Sequence, residues 1–120
     1  MNDRELLELA ARAAGIKARW FRVKQWRQVG GYRMQTGQED VFGTHHSKPW
    51  NPLTDDGDAL RLAVKLRFDI SVEREIQVSW WQGESLDTVT WPLGDDPCAA
   101  ARYAIVRAAA EIGKSMGGGE

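Results

Sequence analysis

The segment from Trp50 to Leu66 constrains the fold most, because it passes from turn to helix within a few residues. Asn51-Pro52 turns the chain, and Thr54 or Asp55 is placed to accept from the free amides of a first helical turn. Asp55, Asp56 and Asp58 cluster where the helix dipole is positive. Beyond them Leu60, Ala63, Val64 and Phe68 recur at helical spacing and predict one apolar face, with Arg61 and Lys65 directed elsewhere. A helix with one such face needs a sheet to cover.

The flanking segments supply that sheet and two more helices. Asn2 followed by Glu5 reads as a capping box, Leu6, Leu9, Ala10 and Ala13 predict a short first helix, and Gly15 stops it. From Ala18 to Val29, Trp, Phe and Val interleave with basic residues, and Gly30-Gly31 permits a tight reversal into Tyr32, Met34 and Thr36, a β-hairpin. Residues 35–49 lack sustained periodicity and predict a mobile surface loop. Ile70, Val72, Ile76, Val78 and Trp80 alternate, Gln82-Gly83-Glu84-Ser85 turns the chain, and Leu86, Val89 and Trp91 begin the return of a second hairpin. Asp95 or Asp96 then caps a third helix opened by Pro97, with Cys98, Ala101, Ile105, Ala108, Ala109 and Ile112 on one side and Gly113 as its end.

The result is an α+β fold of three helices and about four mainly antiparallel strands, in the order α-β-β-α-β-β-α. With 120 residues, 42% of them hydrophobic, the chain predicts a single domain over residues 1–116 and a disordered Gly-rich tail at 117–120.

Residues 6–14, 20–34, 51–66, 70–91 and 96–112 together resemble the phage ABA-sandwich domain, found in small proteins of bacteriophages and prophages without an assigned activity. The run Pro97-Cys98-Ala99-Ala100-Ala101-Arg102-Tyr103-Ala104-Ile105 is similar to that family's final helix, whereas Gly57 and the long basic segment before it depart from the pattern. The resemblance implies a small three-layer αβα sandwich. It also implies a non-enzymatic accessory protein that binds a host macromolecule, foremost a host protein, in the cytoplasm of the host bacterium.

The residues themselves point to a partner only through charge. No acid lies between Glu8 and Glu39, an interval holding Arg12, Lys17, Arg19, Arg22, Lys24, Arg27 and Arg33, although the net charge is only −1. Arg19, Arg22, Lys24, Trp26, Arg27 and Arg33 are therefore the candidate contact residues for a partner or for nucleic acid, combining charge for phosphates with rings for base stacking. A nucleic-acid-binding module built on this hairpin is the alternative function. The plain reading of the same residues is a solvated edge hairpin whose charges discourage aggregation, or one that pairs with the protein's own acidic half.

Other candidates are weaker. Six tryptophans are many for this length, and adjacent Trp80 and Trp81 point to opposite faces of a strand, so helices are expected over both unless one ring serves recognition. His45-His46 has no second Cys or His pair to complete a metal set, and Asp55-Asp56-Gly57-Asp58 lacks the ligand spacing of a calcium loop. Cys98 is expected to pack as a small apolar residue, not to act as a nucleophile. No catalytic motif, cofactor or metal is expected. One cysteine and the absence of roughly 18 consecutive apolar residues predict a reducing cytoplasm, with neither secretion nor membrane insertion.

Overall fold

The computed structural model describes residues 1–116, so the expected tail at 117–120 lies outside the described residues. The chain is α+β, in the order α1 (Asp3–Ala14), β1 (Arg19–Val29), β2 (Tyr32–His45), β3 (Lys48–Pro49), α2 (Asp56–Lys65), β4 (Asp69–Val72), β5 (Glu75–Gln82), β6 (Ser85–Pro92) and α3 (Pro97–Met116). Six strands form two three-stranded antiparallel sheets, β1-β2-β3 and β4-β5-β6. Two compact units result: residues 17–50, and residues 1–16 with the chain from 51 onward.

The larger unit is organised around α3, against which α1, α2, β5 and β6 all pack. Its helix starts follow the expected chemistry: Asn2 accepts from Glu5 N (2.9 Å), Asp55 from Asp58 N (2.7 Å) and Asp96 from Ala99 N (3.1 Å). Two helices stop by the same device. Gly15 at φ 70° closes α1, with Ile16 N donating to Ala11 O, and Arg67 at φ 57° closes α2, with Phe68 N donating to Ala63 O. Arg67 takes the left-handed conformation despite its side chain, which left this stop without a glycine to mark it.

Gly113 does not end α3, which continues to Met116. A Cβ at Gly113 would collide with the carbonyl oxygen of Leu9 and lie 2.8 Å from its carbon. Glycine serves here to let α1 approach α3 closely; Ala10 and Ala11 of α1 and Ala104 and Ala108 of α3 are buried as well. Burial therefore spreads around α3, taking in Ala104, Ile105, Val106, Ala108, Ala109 and Ala110. Cys98, expected within this apolar face, is exposed in the first turn instead.

The second helix presents a different face from the expected one. Ala59, Leu62 and Ala63 are buried, while Leu60 and Val64 are 63% and 68% exposed. Both sets obey helical spacing. Arg102 of α3 sets the orientation at the helix entry, donating from Nε to Leu53 O (2.9 Å) and from Nη1 to Asp56 Oδ1 (2.6 Å).

Residues 70–80 form two strands where one was expected, because the chain reverses at Glu73-Arg74 and pairs Ile70 with Val78 and Val72 with Ile76. The alternation survives the turn since paired residues share a face. Ile76, Val78 and Trp80 are buried on the helix side. The opposite face carries Ser71, Gln77 and Thr90, with Ser79 Oγ and Thr88 Oγ1 3.0 Å apart, and it stays open to water, as antiparallel sheets allow.

In the smaller unit, the expected loop at 35–49 is mostly strand: β2 pairs with β1 from Tyr32 through Gly43 and then turns into β3. Gly43 makes the last step possible, since a Cβ there would meet the Lys48 carbonyl oxygen and lie 2.8 Å from Pro49 Cα. Trp20, Phe42 and Trp50 pack at the base, with ring centroids 4.8 and 6.1 Å apart, and Trp50 N donates to Phe42 O (2.7 Å).

Two expectations follow for urea unfolding. Leu62→Ala should cost about 2–5 kcal/mol, whereas Leu60→Ala should change stability by less than about 0.5 kcal/mol. Gly113→Ala should destabilise by about 1–3 kcal/mol through overpacking, although alanine is the better helix former by about 1 kcal/mol. A neutral or stabilising result at Gly113 would contradict the close approach of Leu9.

Candidate functional site

The candidate residues lie on a hairpin whose distal half stands in solvent. Gly30 and Gly31, at φ 57° and 85°, form the two-residue turn that matches strand twist. A bulge follows, where Gln25 pairs with Gly37 but Trp26 with Gln35, so that β2 carries one extra residue. Gly37 at φ 151° accommodates it, and such bulges raise the local twist. From Trp26 to Gln35 every residue is exposed.

Cross-strand register sorts the six candidates into two groups. Arg22, Lys24, Trp26 and Arg33 share one face, Arg22 opposite Asp40 and Lys24 opposite Gln38; Arg19 and Arg27 belong to the other. Arg22 Nε contacts Asp40 Oδ1 at 3.3 Å, an exposed pair contributing at most about 1 kcal/mol. The Arg33 guanidinium lies over the Trp26 ring (5.2 Å) and that of Arg19 over Phe21 (4.8 Å). Lys24 and Arg27 have no ion pair among the described residues.

Beside this basic series the tip displays Trp26, Val29, Tyr32 (75% exposed) and Met34. The charge is concentrated in this unit: residues 17–50 hold seven basic and two acidic residues, a net of +5, leaving nine basic and 15 acidic residues, or −6, for the rest.

The remaining sequence candidates have structural partners. The His45 and His46 rings lie 4.1 Å apart, and His45 Nδ1 is bonded to Ser47 Oγ (2.8 Å) and accepts from Ser47 N (3.2 Å). Among the described residues no three His, Cys, Asp or Glu side chains gather to hold a metal. Asp58 accepts from Asn51 N (3.0 Å) and Arg61 Nη2 (2.7 Å), while Asp56 binds Arg102, so the acids after Asn51 build the helix entry. The hydrogen bond to Asp56 raises the Arg102 pKa above its ordinary value, against the opposing effect of desolvation. No described helix is long and apolar enough to cross a membrane.

The tryptophans divide. Trp80 is 5% exposed, but Trp81 is 67% exposed on the open face of the sheet, so the expected helical cover forms over only one of them. Trp91 packs on Tyr103 with centroids 4.3 Å apart.

A cavity of about 530 Å³ between the β6 edge and α3 had no counterpart in the sequence reading. Trp80, Asp87, Trp91, Arg107 and Glu111 line it. Among the described residues Trp80 Nε1 and Arg107 Nε are buried without a hydrogen-bond partner. The spacing of Arg107 and Glu111, one helical turn apart, was legible; their convergence with Asp87 depends on how α3 lies on the sheet.

No family model matches the chain, and neither a curated protein nor a solved structure matches it.

Trp81→Ser should alter stability by less than about 0.5 kcal/mol, as expected of a surface change. Acrylamide should quench the wild-type fluorescence more than that of this variant. Equal quenching would place the Trp81 ring out of solvent.

Proposed function

We propose that this chain is a non-enzymatic binding protein that engages an acidic surface of a partner protein through the distal half of the β1–β2 hairpin. The carrying observation is the exposed tip itself, which presents Trp26 and Arg33 on one face and Arg27, Tyr32 and Met34 on the other, all within a few residues of one turn. Aromatic residues, Met and Arg are the types enriched at protein interfaces. The net +5 of residues 17–50 favours an acidic partner and speeds the encounter with it. The resemblance to the phage ABA-sandwich domain supports a host protein in the bacterial cytoplasm as that partner, and a phage or prophage accessory role for the chain.

A nucleic acid is the second reading, favoured by Lys24 and Arg27, which have no acidic partner among the described residues, and by the rings of Trp26 and Tyr32.

Affinity capture from a bacterial lysate, paired with an electrophoretic shift assay on short single and double strands, separates the two. A specific protein should be retained by the wild-type chain, and Trp26→Ala and Tyr32→Ala should each weaken its binding by about 2 kcal/mol, roughly thirtyfold. No strand should be retarded at about 50 mM salt, where phosphate contacts are strong. Capture unaffected by either tip variant would overturn the interface. Retardation lost on Lys24→Ala and Arg27→Ala would establish the nucleic-acid reading instead.

A further inference from the structure

We infer that two copies of this chain pair through the outer edge of β6, antiparallel about a two-fold axis, so that their three-stranded sheets join into one. β6 ends its sheet, in the order β4-β5-β6, and no strand pairs with its outer side among the described residues. Such an edge is a row of free backbone donors and acceptors that another strand can complete. The helix leaves it accessible: an open groove of about 530 Å³ separates β6 from α3, lined by Asp87, Thr88, Val89, Thr90 and Trp91 on one side and Arg107 on the other.

The other sheet edges are blunted. β1 carries Arg19, Arg22, Lys24 and Arg27, while β3 and β4 are two and four residues long. Basic side chains and short strands both discourage edge pairing. β6 has eight residues, none of them basic, and Asp87 is its one charge. Exposed apolar side chains gather beside it: Leu86 (51% exposed) and Trp91 on β6, and Trp81 directly opposite Leu86 on β5.

The edge is complementary to itself. Gly83-Glu84 is a two-residue turn between paired Gln82 and Ser85, which makes that closing pair a hydrogen-bonded one. By alternation Ser85, Asp87, Val89 and Trp91 direct their backbone groups to β5, whereas Leu86, Thr88, Thr90 and Pro92 direct theirs outward. Pro92 fits this assignment, since it has no N–H to offer on that side. In an antiparallel copy centred on Val89, Thr88 pairs with Thr90 of the second copy in both directions, and Leu86 N donates to Pro92 O. Every outward N–H of Leu86, Thr88 and Thr90 is then satisfied. Leu86 meets Pro92 of the second copy and Asp87 meets Trp91, so no like charges face each other. A register centred on Asp87 would set two carboxylates opposite one another, which disfavours it.

Sedimentation equilibrium of the whole chain up to about 0.5 mM, a concentration that reveals weak association, tests this. The wild type should reach twice the chain mass. Thr88→Pro and Thr90→Pro remove outward N–H groups without touching the β5–β6 ladder, and each deletes two hydrogen bonds per dimer, so each should weaken association roughly thirtyfold. An unchanged circular dichroism spectrum would show that these variants fold. A second measurement is independent of proline. In a Cys98→Ser background, Val89→Cys sits on the two-fold axis as a closely spaced, non-hydrogen-bonded pair within disulfide reach, and mild oxidation should link two chains through it. Ser71→Cys on β4 should link far less. A chain that stays monomeric, a dimer that neither folded proline variant weakens, or a Val89→Cys chain that links no more than Ser71→Cys overturns the proposal; should the proline variants not fold, the cross-link comparison decides alone.

Discussion

The contact on which the larger unit depends is the approach of α1 to α3 at Gly113, where a side chain would occupy the place of the Leu9 carbonyl. Ala10 and Ala11 of α1 and Ala104 and Ala108 of α3 are buried as well, so small residues recur on the two helices that pack together. Individual alanines remove little apolar area from water. Close packing compensates, since dispersion contacts accumulate when two backbones come near each other. With α1 on one side and β5 and β6 on another, α3 is buried over much of its circumference, and its residues reach both the helical contact and the sheet edge.

Charge is divided as sharply as packing. In the larger unit four acids at helix starts are committed locally: Asp55 and Asp96 cap helices, Asp58 holds the Asn51 amide, and Asp56 anchors Arg102, whose other bond goes to the Leu53 carbonyl. That clamp relates the entry of α2 to α3 through one side chain. Residues 17–50 follow the opposite pattern, with seven basic residues and only Glu39 and Asp40 in return. Local geometry therefore engages the acids at the starts of α2 and α3, and leaves most of the positive charge of the smaller unit facing solvent.

The sites differ in how they came to be visible. The basic aromatic hairpin was legible because β1 carries Arg22, Lys24 and Trp26 within five consecutive positions, and two-residue alternation places them on one face without knowledge of the partner strand. Arg22 was legible as a candidate contact residue, but its partner Asp40 lies 18 residues away and meets it only through the hairpin register. At the β6 edge only the spacing of Arg107 and Glu111 was legible, since Trp80, Asp87 and Arg107 belong to three elements and share no periodicity.

Features determined by the sequence alone were those that require only near neighbours. A helix start at Asn2, others at Thr54 or Asp55 and at Asp95 or Asp96, the glycine stop at Gly15, the Gly30-Gly31 turn and the α+β class all follow from hydrogen bonds and backbone preferences within a few residues, and the structure chose Asp55 and Asp96 as the caps. Tertiary structure decided where two local solutions were equally good. Leu60 with Val64, and Ala59 with Leu62 and Ala63, are both acceptable helical faces, and packing against α3 selected the second. Gly113 is a suitable helix stop by composition, and the Leu9 backbone turned it into a point of contact. Trp80 and Trp81 are identical in type and adjacent, but the sheet has its helices on one side, so one ring is buried and the other stands in water. In each case the deciding atoms come from an element distant in sequence, and spacing along the chain holds no record of them.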